Sequence, residues 1–429
     1  MSIESIYSKF QECNFSVSTD TRKNVQDSLF FCLNGENFDG NTFAQKAFDN
    51  GAKYIIIDNP AYQSVKNTIL VDNSLETLQK LANFHRKKLA TPIIAITGSN
   101  GKTTSKELIF SVLNQSFHTI ATLGNLNNHI GVPLTLLSIK PSTEIAIVEM
   151  GANHPNEIAF LCQIAEPDFG YITNFGKAHL EGFLSIEGVI KAKCELYEYL
   201  MAHQKTIFFN QDNLIQAEKL QNYPSIFSFS VKNNNSANII AQIVQSFPFV
   251  SIKTENTTIH SHLTGVYNAD NIAAAICVGR YFKISYEAIK KGIENYIPSN
   301  SRSQIIEKAN GNKLLLDAYN ANPSSMQVAI DNFKQIEYPN KIVILGDMKE
   351  LGTESHFEHQ QIVTYLENNV WNEVLLVGEN FGNTSNNYKH FKSTDDVLSY
   401  LEKQHYTDTF FLIKGSRAMK LEQIVAYFE

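Results

Sequence analysis

Short apolar segments alternate with longer amphipathic segments along most of the chain. The apolar segments are rich in Ile, Val, Leu and Phe, and the amphipathic ones repeat at helical spacing, which is typical of a parallel sheet covered by helices. We therefore predict an α/β fold. The predicted strands are 53–58, 68–71, 92–98, 144–151, 169–176, 205–210, the start of 313–323, 341–348, 373–379 and 409–416. The predicted helices are 74–89, 102–117, 186–200 and a pair within 268–296.

Two breaks in this alternation predict three domains, which also suits a chain of 429 residues because one hydrophobic core rarely serves that length. The first break is at Thr91-Pro92 and the second is the turn-like segment 297–301. We expect a small N-terminal α/β domain (1–90), a central P-loop domain with a parallel sheet (91–298) and a C-terminal Rossmann-like domain (299–429). Within the central domain, 223–264 predicts a few antiparallel strands, and the Asn-rich stretch 232–238 predicts a loop.

Composition and charge exclude some classes of partner. The chain is 43% apolar and 18% charged with a net charge of -7, and this mild acidity attracts neither nucleic acid nor an anionic membrane. The first residues lack the basic region followed by an apolar run that is typical of a leader peptide, and no apolar run approaches the length of a membrane span. We therefore expect a cytoplasmic protein. The five cysteines are scattered and never form a C-x-x-C pair, so we expect packed, reduced thiols.

A glycine loop between a predicted strand and a predicted helix is the strongest candidate site. The segment 97–104 reads TGSNGKTT, two residues shorter between its glycines than the usual G-x-x-x-x-G-K-[ST], with Ile96 where the first Gly belongs. Such a loop directs backbone N–H groups and a helix N-terminus at one point, which suits phosphate oxygens. Lys102 is placed to neutralise phosphates, and the Thr103 hydroxyl is placed to hold Mg²⁺.

Other polar residues follow predicted strands, where ligands gather in open parallel sheets. Glu149 ends the strand 144–151 and is a candidate Mg²⁺ ligand, and His179 lies in the loop after 169–176. On residue type alone, the two lysines of the next helix (Lys191 and Lys193) are better explained as solvated side chains. Asp317, Asn320 and Asn322, before Pro323, are equally well explained as turn and cap residues. The cationic turn 414–417 is a candidate for holding a substrate carboxylate.

Several stretches together resemble the Mur ligases, the ATP-dependent amide-forming enzymes of peptidoglycan synthesis. The family's P-loop is the shortened T-G-x-x-G-K-[ST]-[ST], which 97–104 matches. Further resemblance lies in 18–22, 28–43, 124–137, 149–183, 317–326, 345–352 and 414–422. The sequence departs from the family at Thr21, where Ser is usual, and at Tyr267, where many relatives carry His.

The resemblance implies roles for individual residues. It implies ATP binding by Gly98, Ser99, Asn100, Gly101, Lys102, Thr103, Thr104, Asn268, Asn271, Arg302, Asp317 and Tyr319. It implies catalytic roles for Lys102, Glu149, His179, Lys193 and Arg302, and two Mg²⁺ ions held by Thr103, Glu149, His179 and a carbamylated Lys193. It implies substrate binding by Asp20, Thr21, Arg22, Asn127, Asn128, Asn322, Lys414, Ser416 and Arg417.

The activity that the resemblance implies is that of an ATP-dependent acid–amino-acid ligase, acting through an acyl phosphate. The implied partners are a UDP-linked muramoyl tripeptide (UDP-MurNAc-tripeptide), bound by a UDP-sugar-binding N-terminal domain, and D-alanyl-D-alanine. We expect a monomer. Two alternatives stay open: another amino-acid ligase of the superfamily, including a ligase that adds glutamate to folate, and a P-loop ATPase without ligase activity.

Overall fold

The structure is a computed structural model that describes residues 1–35, 37–298, 301–308 and 310–428. Its N-terminal part holds a four-stranded parallel sheet in the order β1-β2-β3-β4. Helix α3 begins where the Asn73 side chain accepts from the Glu76 N–H, which satisfies one free donor of the first turn. The elements are α1 (Ile3–Glu12), β1 (Val17–Ser18), β2 (Leu29–Phe31), a 3₁₀ helix (Gly40–Phe43), α2 (Ala44–Asp49), β3 (Tyr54–Ile57), a 3₁₀ helix (Pro60–Tyr62), β4 (Thr68–Leu70) and α3 (Ser74–Leu89).

The central part holds a seven-stranded parallel sheet and a separate three-stranded antiparallel sheet. The elements are β5 (Ile93–Thr97), α4 (Lys102–Leu113), β6 (Thr119–Ala121), α5 (Gly131–Leu137), β7 (Ile145–Glu149), α6 (Glu157–Ala165), β8 (Phe169–Ile172), α7 (Leu180–Phe183), α8 (Ile186–Ala202), β9 (Thr206–Asn210), α9 (Leu214–Leu220), β10 (Ile226–Ser230), β11 (Ile239–Ile240), β12 (Gln242–Gln245), β13 (Ser251–Thr254), β14 (Thr257–His260), α10 (Asn268–Tyr281) and α11 (Tyr286–Glu294). The order of the large sheet is β11-β10-β9-β8-β5-β7-β6, so β5 lies between β8 and β7 in its interior.

The C-terminal part is a second doubly wound sheet in the order β15-β16-β20-β17-β18-β19. Only its edge strand β15 is antiparallel. The elements are β15 (Gln304–Glu307), β16 (Lys313–Asp317), α12 (Pro323–Gln335), β17 (Asn340–Gly346), a 3₁₀ helix (Gly352–Glu354), α13 (Ser355–Glu367), β18 (Glu373–Val377), α14 (Glu379–Gly382), β19 (Lys389–Phe391), α15 (Thr394–Leu401), β20 (Thr409–Lys414), two 3₁₀ helices (Arg417–Met419 and Leu421–Gln423) and α16 (Ile424–Tyr427).

The α/β fold class is confirmed, and one element prediction is wrong. The segment 223–264 is not purely antiparallel, because β10 and β11 join the large sheet in parallel and only β12–β14 pair antiparallel. The reason is α9, a short helix that the sequence prediction missed, which carries the chain from β9 to β10 as a crossover. The Asn-rich stretch 232–238 is a loop, as predicted.

The predicted domain boundaries after residues 90 and 298 fall between these sheets, and the division itself stays a prediction. Residues 299 and 300 of the predicted turn 297–301 lie outside the described residues, as does residue 36 of the matched segment 28–43. All five cysteines are buried and free, as expected. Among the described residues, no helix is both long and apolar enough to cross a membrane.

The position of β5 determines where a ligand can bind. From β5 the chain crosses to β6 at one edge of the sheet, while β8 lies on the opposite side of β5, so the direction of winding reverses there. Ligands of open α/β sheets bind at the carboxyl ends of the strands next to such a switch point. The loops that follow β5, β7 and β8 all lie at this edge of the sheet.

Candidate active site

One cavity of about 1100 Å³ lies at the carboxyl ends of β5 and β7. Its lining comes from both the central and the C-terminal parts of the chain. A space of this size accommodates a nucleotide together with parts of a second substrate. We call the central residues that line it the central wall, and those after residue 300 the C-terminal wall.

The glycine loop has a backbone that only glycine adopts easily. Gly98 has φ +141° and Gly101 has φ +78°, and a Cβ on Gly98 would lie 2.0 Å from Thr173 Oγ1. The loop is also held from outside, because the Asn100 N–H donates to Asn174 Oδ1 (3.0 Å) and Thr173 Oγ1 donates to the Asn100 carbonyl (2.6 Å). The loop is therefore pre-formed and leads into the N-terminus of α4.

Lys102 begins α4 and faces the cavity. Its Nζ donates to the carbonyls of Gly98 (2.7 Å) and Ser99 (3.3 Å) in its own loop. Burial lowers the pKa of the Lys102 ammonium, and the nearby Glu149 carboxylate opposes part of that shift. A desolvated cation beside backbone N–H groups favours an anionic ligand such as a polyphosphate.

Glu149 ends β7 and is held from several directions. Thr103 Oγ1 donates to its Oε2 (3.0 Å), and Asn127 Nδ2 donates to its Oε1 (2.9 Å). The Lys106 ammonium lies 3.7 Å from Oε2. The Glu149 residue is only 2% exposed, so its carboxylate is fixed rather than solvated. The sequence predicted both Thr103 and Glu149 as metal ligands, and the structure brings them together.

Thr103 and Glu149 could supply only part of the coordination shell of Mg²⁺. Among the described residues, no three or more His, Cys, Asp and Glu side chains cluster as a complete metal site. A hydroxyl and a carboxylate in contact are hard oxygen donors, and Mg²⁺ is often held by one or two such groups with phosphates and water completing the shell. The Thr103 and Glu149 pair therefore fits an ion that arrives with a nucleotide.

His179, another predicted metal ligand, also lines the cavity, but it pairs with a carboxylate of the C-terminal wall rather than with Thr103 or Glu149. Its Nδ1 is 2.6 Å from Glu350 Oε2, a carboxylate of the C-terminal wall. This contact lowers the pKa of Glu350, so that carboxylate stays ionised. A histidine whose Nδ1 faces a carboxylate keeps Nε2 available for a ligand.

Lys193 is buried in α8 and does not line the cavity. Its Nζ donates to the carbonyl of Ala152 (3.2 Å), and Ala152 does line it. Burial, with a contribution from Lys102, lowers the pKa of Lys193 to about 7. Near neutral pH a large fraction of this amine is therefore uncharged, and the uncharged amine is the form that reacts with CO₂.

The C-terminal wall carries several cationic side chains, two of which pack against an aromatic ring. The Arg302 guanidinium lies 3.7 Å from the centre of the Tyr319 ring, and that of Arg417 lies 5.1 Å from the same ring. Lys414 Nζ donates to Asp317 Oδ2 (2.6 Å). Within the described part of the chain, the buried Arg302 Nε has no hydrogen-bond acceptor. Two guanidinium groups and one ammonium thus border the cavity opposite the glycine loop.

The start of α10 closes a third side of the cavity. Asn271 Nδ2 donates to Asn268 Oδ1 (2.8 Å), and Ser105 Oγ donates to Asn271 Oδ1 (2.8 Å). Tyr267, the departure from the family pattern, also lines the cavity, and its hydroxyl lies 2.6 Å from Ser303 Oγ. The predicted nucleotide residues of α10 are therefore hydrogen-bonded to α4, the helix that follows the glycine loop.

Contacts across the predicted boundary join the two walls. Asn322 Nδ2 donates to Asn100 Oδ1 of the glycine loop (2.8 Å). Lys177 Nζ forms an ion pair with Glu358 (2.7 Å), and the Lys177 N–H donates to Ser324 Oγ (2.9 Å). The cavity is thus bounded on both sides in this arrangement.

The three N-terminal candidates lie outside this cavity. Arg22 forms an ion pair with Asp20 (2.9 Å) and holds the pKa of that carboxyl at about 2. The Arg22 side chain is 85% exposed. Asp20, but neither Thr21 nor Arg22, lines a second pocket of about 340 Å³ between the N-terminal and central parts.

Most of the predicted site residues line the main cavity. Those that do are Ser99, Asn100, Gly101, Lys102, Thr103, Thr104, Asn127, Asn128, Glu149, His179, Asn268, Asn271, Arg302, Asp317, Tyr319, Asn322, Lys414 and Arg417. Those that do not are Asp20, Thr21, Arg22, Gly98, Lys193 and Ser416. Sequence reasoning missed Asn174 and Glu350, although both lie in segments that carried the resemblance. It also missed Phe160 and Val328, two apolar lining residues that no motif distinguishes from core positions.

Known proteins are similar to this chain over nearly its whole length. Three family models match: "Mur ligase family, catalytic domain" at residues 16–86, "Mur ligase middle domain" at 96–279 and "Mur ligase, glutamate ligase domain" at 301–417. The UDP-N-acetylmuramoyl-tripeptide–D-alanyl-D-alanine ligase of Bacillus subtilis is 36% identical over 95% of this chain and 92% of its own length.

Solved structures are similar over the same span. A crystal structure of MurF from Acinetobacter baumannii has a TM-score of 0.84 and 28% identity, covering 96% of this chain and 92% of that one. MurF ligase from Thermotoga maritima in complex with ADP has a TM-score of 0.83 and 26% identity, covering 96% of both chains. The chain therefore belongs to the Mur ligase family.

Proposed function

We propose that this protein is an ATP-dependent ligase that joins D-alanyl-D-alanine to a UDP-linked muramoyl tripeptide, giving the pentapeptide, ADP and phosphate. The observation that carries the proposal is the single cavity that brings a phosphate-binding loop and a fixed carboxylate opposite a cationic wall from the C-terminal part. The 36% identity to a ligase of that name, over nearly full length, supports this choice of substrates.

The proposed reaction has two steps. An oxygen of the tripeptide carboxylate attacks the γ-phosphorus of ATP, the bond to ADP breaks, and an acyl phosphate forms. The amine of D-alanyl-D-alanine then attacks the acyl carbon, phosphate leaves, and the nitrogen loses a proton to give the amide. Both reactants of the first step are anionic, so the protein's main task is to hold them in line and offset their repulsion.

On the nucleotide side, the central wall would hold the reactant in place and offset its charge. The loop N–H groups and Lys102 would hold the phosphates, and Asn268 and Asn271 would border the nucleoside. Thr103 and Glu149 would hold Mg²⁺, with His179 as ligand of a second ion. When bound, Mg²⁺ supplies neutralisation of the phosphate charge. A carbamate on Lys193 would convert this amine into a carboxylate-like group next to the Ala152 carbonyl.

The C-terminal wall forms the opposite side of the proposed site. Arg302 reaches the cavity from beyond the predicted second boundary and would contact the transferring phosphate. Lys414 and Arg417 would hold a substrate carboxylate, and Asn322, bonded to Asn100, would fix this wall against the loop. Closure of the cavity excludes water, which protects an acyl phosphate from hydrolysis. Asp20, Thr21 and Arg22 would bind the UDP-sugar end, outside the main cavity.

An omission experiment tests the proposal. Phosphate release is measured with ATP, Mg²⁺, UDP-muramoyl-tripeptide and D-alanyl-D-alanine, leaving out one component at a time. We expect release only with all four, and a product heavier than the tripeptide by one dipeptide less water. Release that ignores both peptides would instead identify a P-loop ATPase. Release that requires glutamate and a folate, in place of these substrates, would identify the other ligase alternative.

A further inference from the structure

Lys106 is a buried charge to which the proposed reaction assigns no task. It lies on α4 one turn after Lys102, is 0% exposed and does not line the cavity. A lysine ammonium is almost never fully buried unless it is paired, because removing it from water is costly. Its surroundings therefore indicate what it does.

The partners of Lys106 converge on Glu149. Its Nζ donates to the Thr122 carbonyl (2.5 Å) and lies 3.7 Å from Glu149 Oε2. The Glu149 N–H in turn donates to Thr122 Oγ1 (2.9 Å), so Thr122 links the lysine to the backbone of the glutamate. The Lys106 ammonium is nearer to Glu107, at 3.2 Å, but that side chain is 40% exposed, whereas the Glu149 side chain is 2% exposed.

Helical spacing explains how two residues of α4 reach the same oxygen. Thr103 and Lys106 are three apart and therefore share a face of the helix. Thr103 Oγ1 donates to Glu149 Oε2 from the cavity side, and Lys106 approaches that oxygen from the interior. Asn127 fixes the other oxygen. The carboxylate is thus held in one orientation, with a buried cation behind it.

We propose that Lys106 is a positioning residue that holds the Glu149 carboxylate toward the cavity, in the orientation in which it and Thr103 bind the ion accompanying the nucleotide. This inference rests on the proposed nucleotide chemistry, but not on the identity of the acceptor. A purely structural lysine would support the fold equally with or without Glu149, whereas a positioning lysine acts through it. Coupling between the two residues separates these cases.

The first test is a double-mutant cycle on the full-length protein without ligands. Lys106→Met keeps the volume and leaves Glu149 without this cation, while Glu149→Gln leaves Lys106 with only the partly exposed Glu107 carboxylate. We expect each to lower the melting temperature by about 5 °C or more, and the double variant to lose clearly less than the sum. Additive losses would overturn the proposal. Because the cycle needs no substrate, it is independent of whether the ligase function is right.

The second test separates positioning from general damage to the nucleotide site. Binding of a non-hydrolysable ATP analogue is measured with Mg²⁺ and with EDTA for wild type, Lys106→Met and the matched control Glu107→Gln. We expect Lys106→Met to reduce the tightening by Mg²⁺ at least about tenfold while binding in EDTA stays within about twofold. Glu107→Gln should match wild type. Equal weakening in both buffers, or no change in either, would overturn the proposal.

Discussion

The two walls of the cavity are built differently. On the central wall, Thr103 and Glu149 are buried, lie at the ends of regular elements and hydrogen-bond to each other. On the C-terminal wall, Arg302 is half-buried and Arg417 is exposed, and both guanidinium groups approach the Tyr319 ring. The first wall is made by elements of the central part of the chain, whereas the second is held against it by contacts between distant segments, such as the ion pair between Lys177 and Glu358.

This difference indicates a division of labour. A rigid, pre-formed wall suits phosphate binding and transfer, because groups already in place need no reorganisation in the transition state. A wall that depends on docking suits the acceptor, and it would bring Arg302 to the transferring phosphate only when docked, since the cavity must open to exchange substrates and close to exclude water. Changes in the central wall should therefore reduce the rate, and changes at the docking contacts should mainly affect acceptor binding.

The largest effect is expected for Lys102→Ala. Loss of the ammonium removes the cation nearest the loop, and we expect turnover to fall by about 10³-fold or more while the melting temperature changes little. Phosphate release measures the rate. Lys341→Ala is a matched control, because that ammonium also bonds backbone carbonyls but lies outside the main cavity. Normal turnover in Lys102→Ala would remove the loop from the mechanism.

The second largest effect is expected for Lys193→Ala, with a loss of activity of about 10²-fold or more. Acetate or formate should restore part of the activity, because they replace the missing carboxylate-like group. The exposed Lys191 of the same helix is the control and should tolerate alanine. Recovery of wild-type activity by bicarbonate, after CO₂ removal, should be slower below pH 7. The pKa of Lys193 is about 7, so the amine is protonated there and does not react. A fully active Lys193→Ala would exclude the carbamate role.

Arg302→Lys should have an intermediate effect. Lysine keeps the charge but loses the stack on Tyr319, so we expect kcat/KM for ATP to fall about tenfold. Arg280→Lys is the matched control, because Arg280 stacks on Tyr286 at 4.4 Å but does not line the cavity. If both variants lose the same activity, stacking at Arg302 has no special importance.

The smallest effect is expected for Lys177→Met at the docking contact. An ion pair with one half-exposed partner contributes little to stability, so we expect KM for D-alanyl-D-alanine to rise about threefold with kcat nearly unchanged. Lys313→Met is the control, because its 2.7 Å pair with Glu307 lies within one sheet. A fall in kcat with unchanged KM would contradict the division of labour between the walls.

Many residues of the central wall could be singled out from the sequence for a physical reason, and their roles stay predictions. These residues follow strands, and a strand that ends in Glu149, or a glycine loop before a helix, has a local pattern. The fold class is confirmed on the same basis. Strand ends were predicted too long, as at 169–176, where β8 ends at Ile172 and the following residues form the loop that holds Asn100.

What the sequence concealed depends on contacts between distant segments. Lys106 looks like an ordinary helical lysine until Glu149, far along the chain, is placed beside it. Glu350 becomes part of the site only because the C-terminal part docks on His179. The sequence of β10 alternates apolar and polar residues like an antiparallel strand, but its pairing with β9 and β11 is parallel, and that pairing is set by the path of the chain rather than by the local pattern.

The most direct measurement is the fate of oxygen from the tripeptide carboxylate. With both carboxylate oxygens labelled as ¹⁸O, attack on ATP followed by amide formation must leave one labelled oxygen in the product and transfer the other to phosphate. Mass spectrometry of the released phosphate should therefore show one ¹⁸O per amide formed. Unlabelled phosphate, released alongside amide product, would contradict activation of the carboxylate in this cavity.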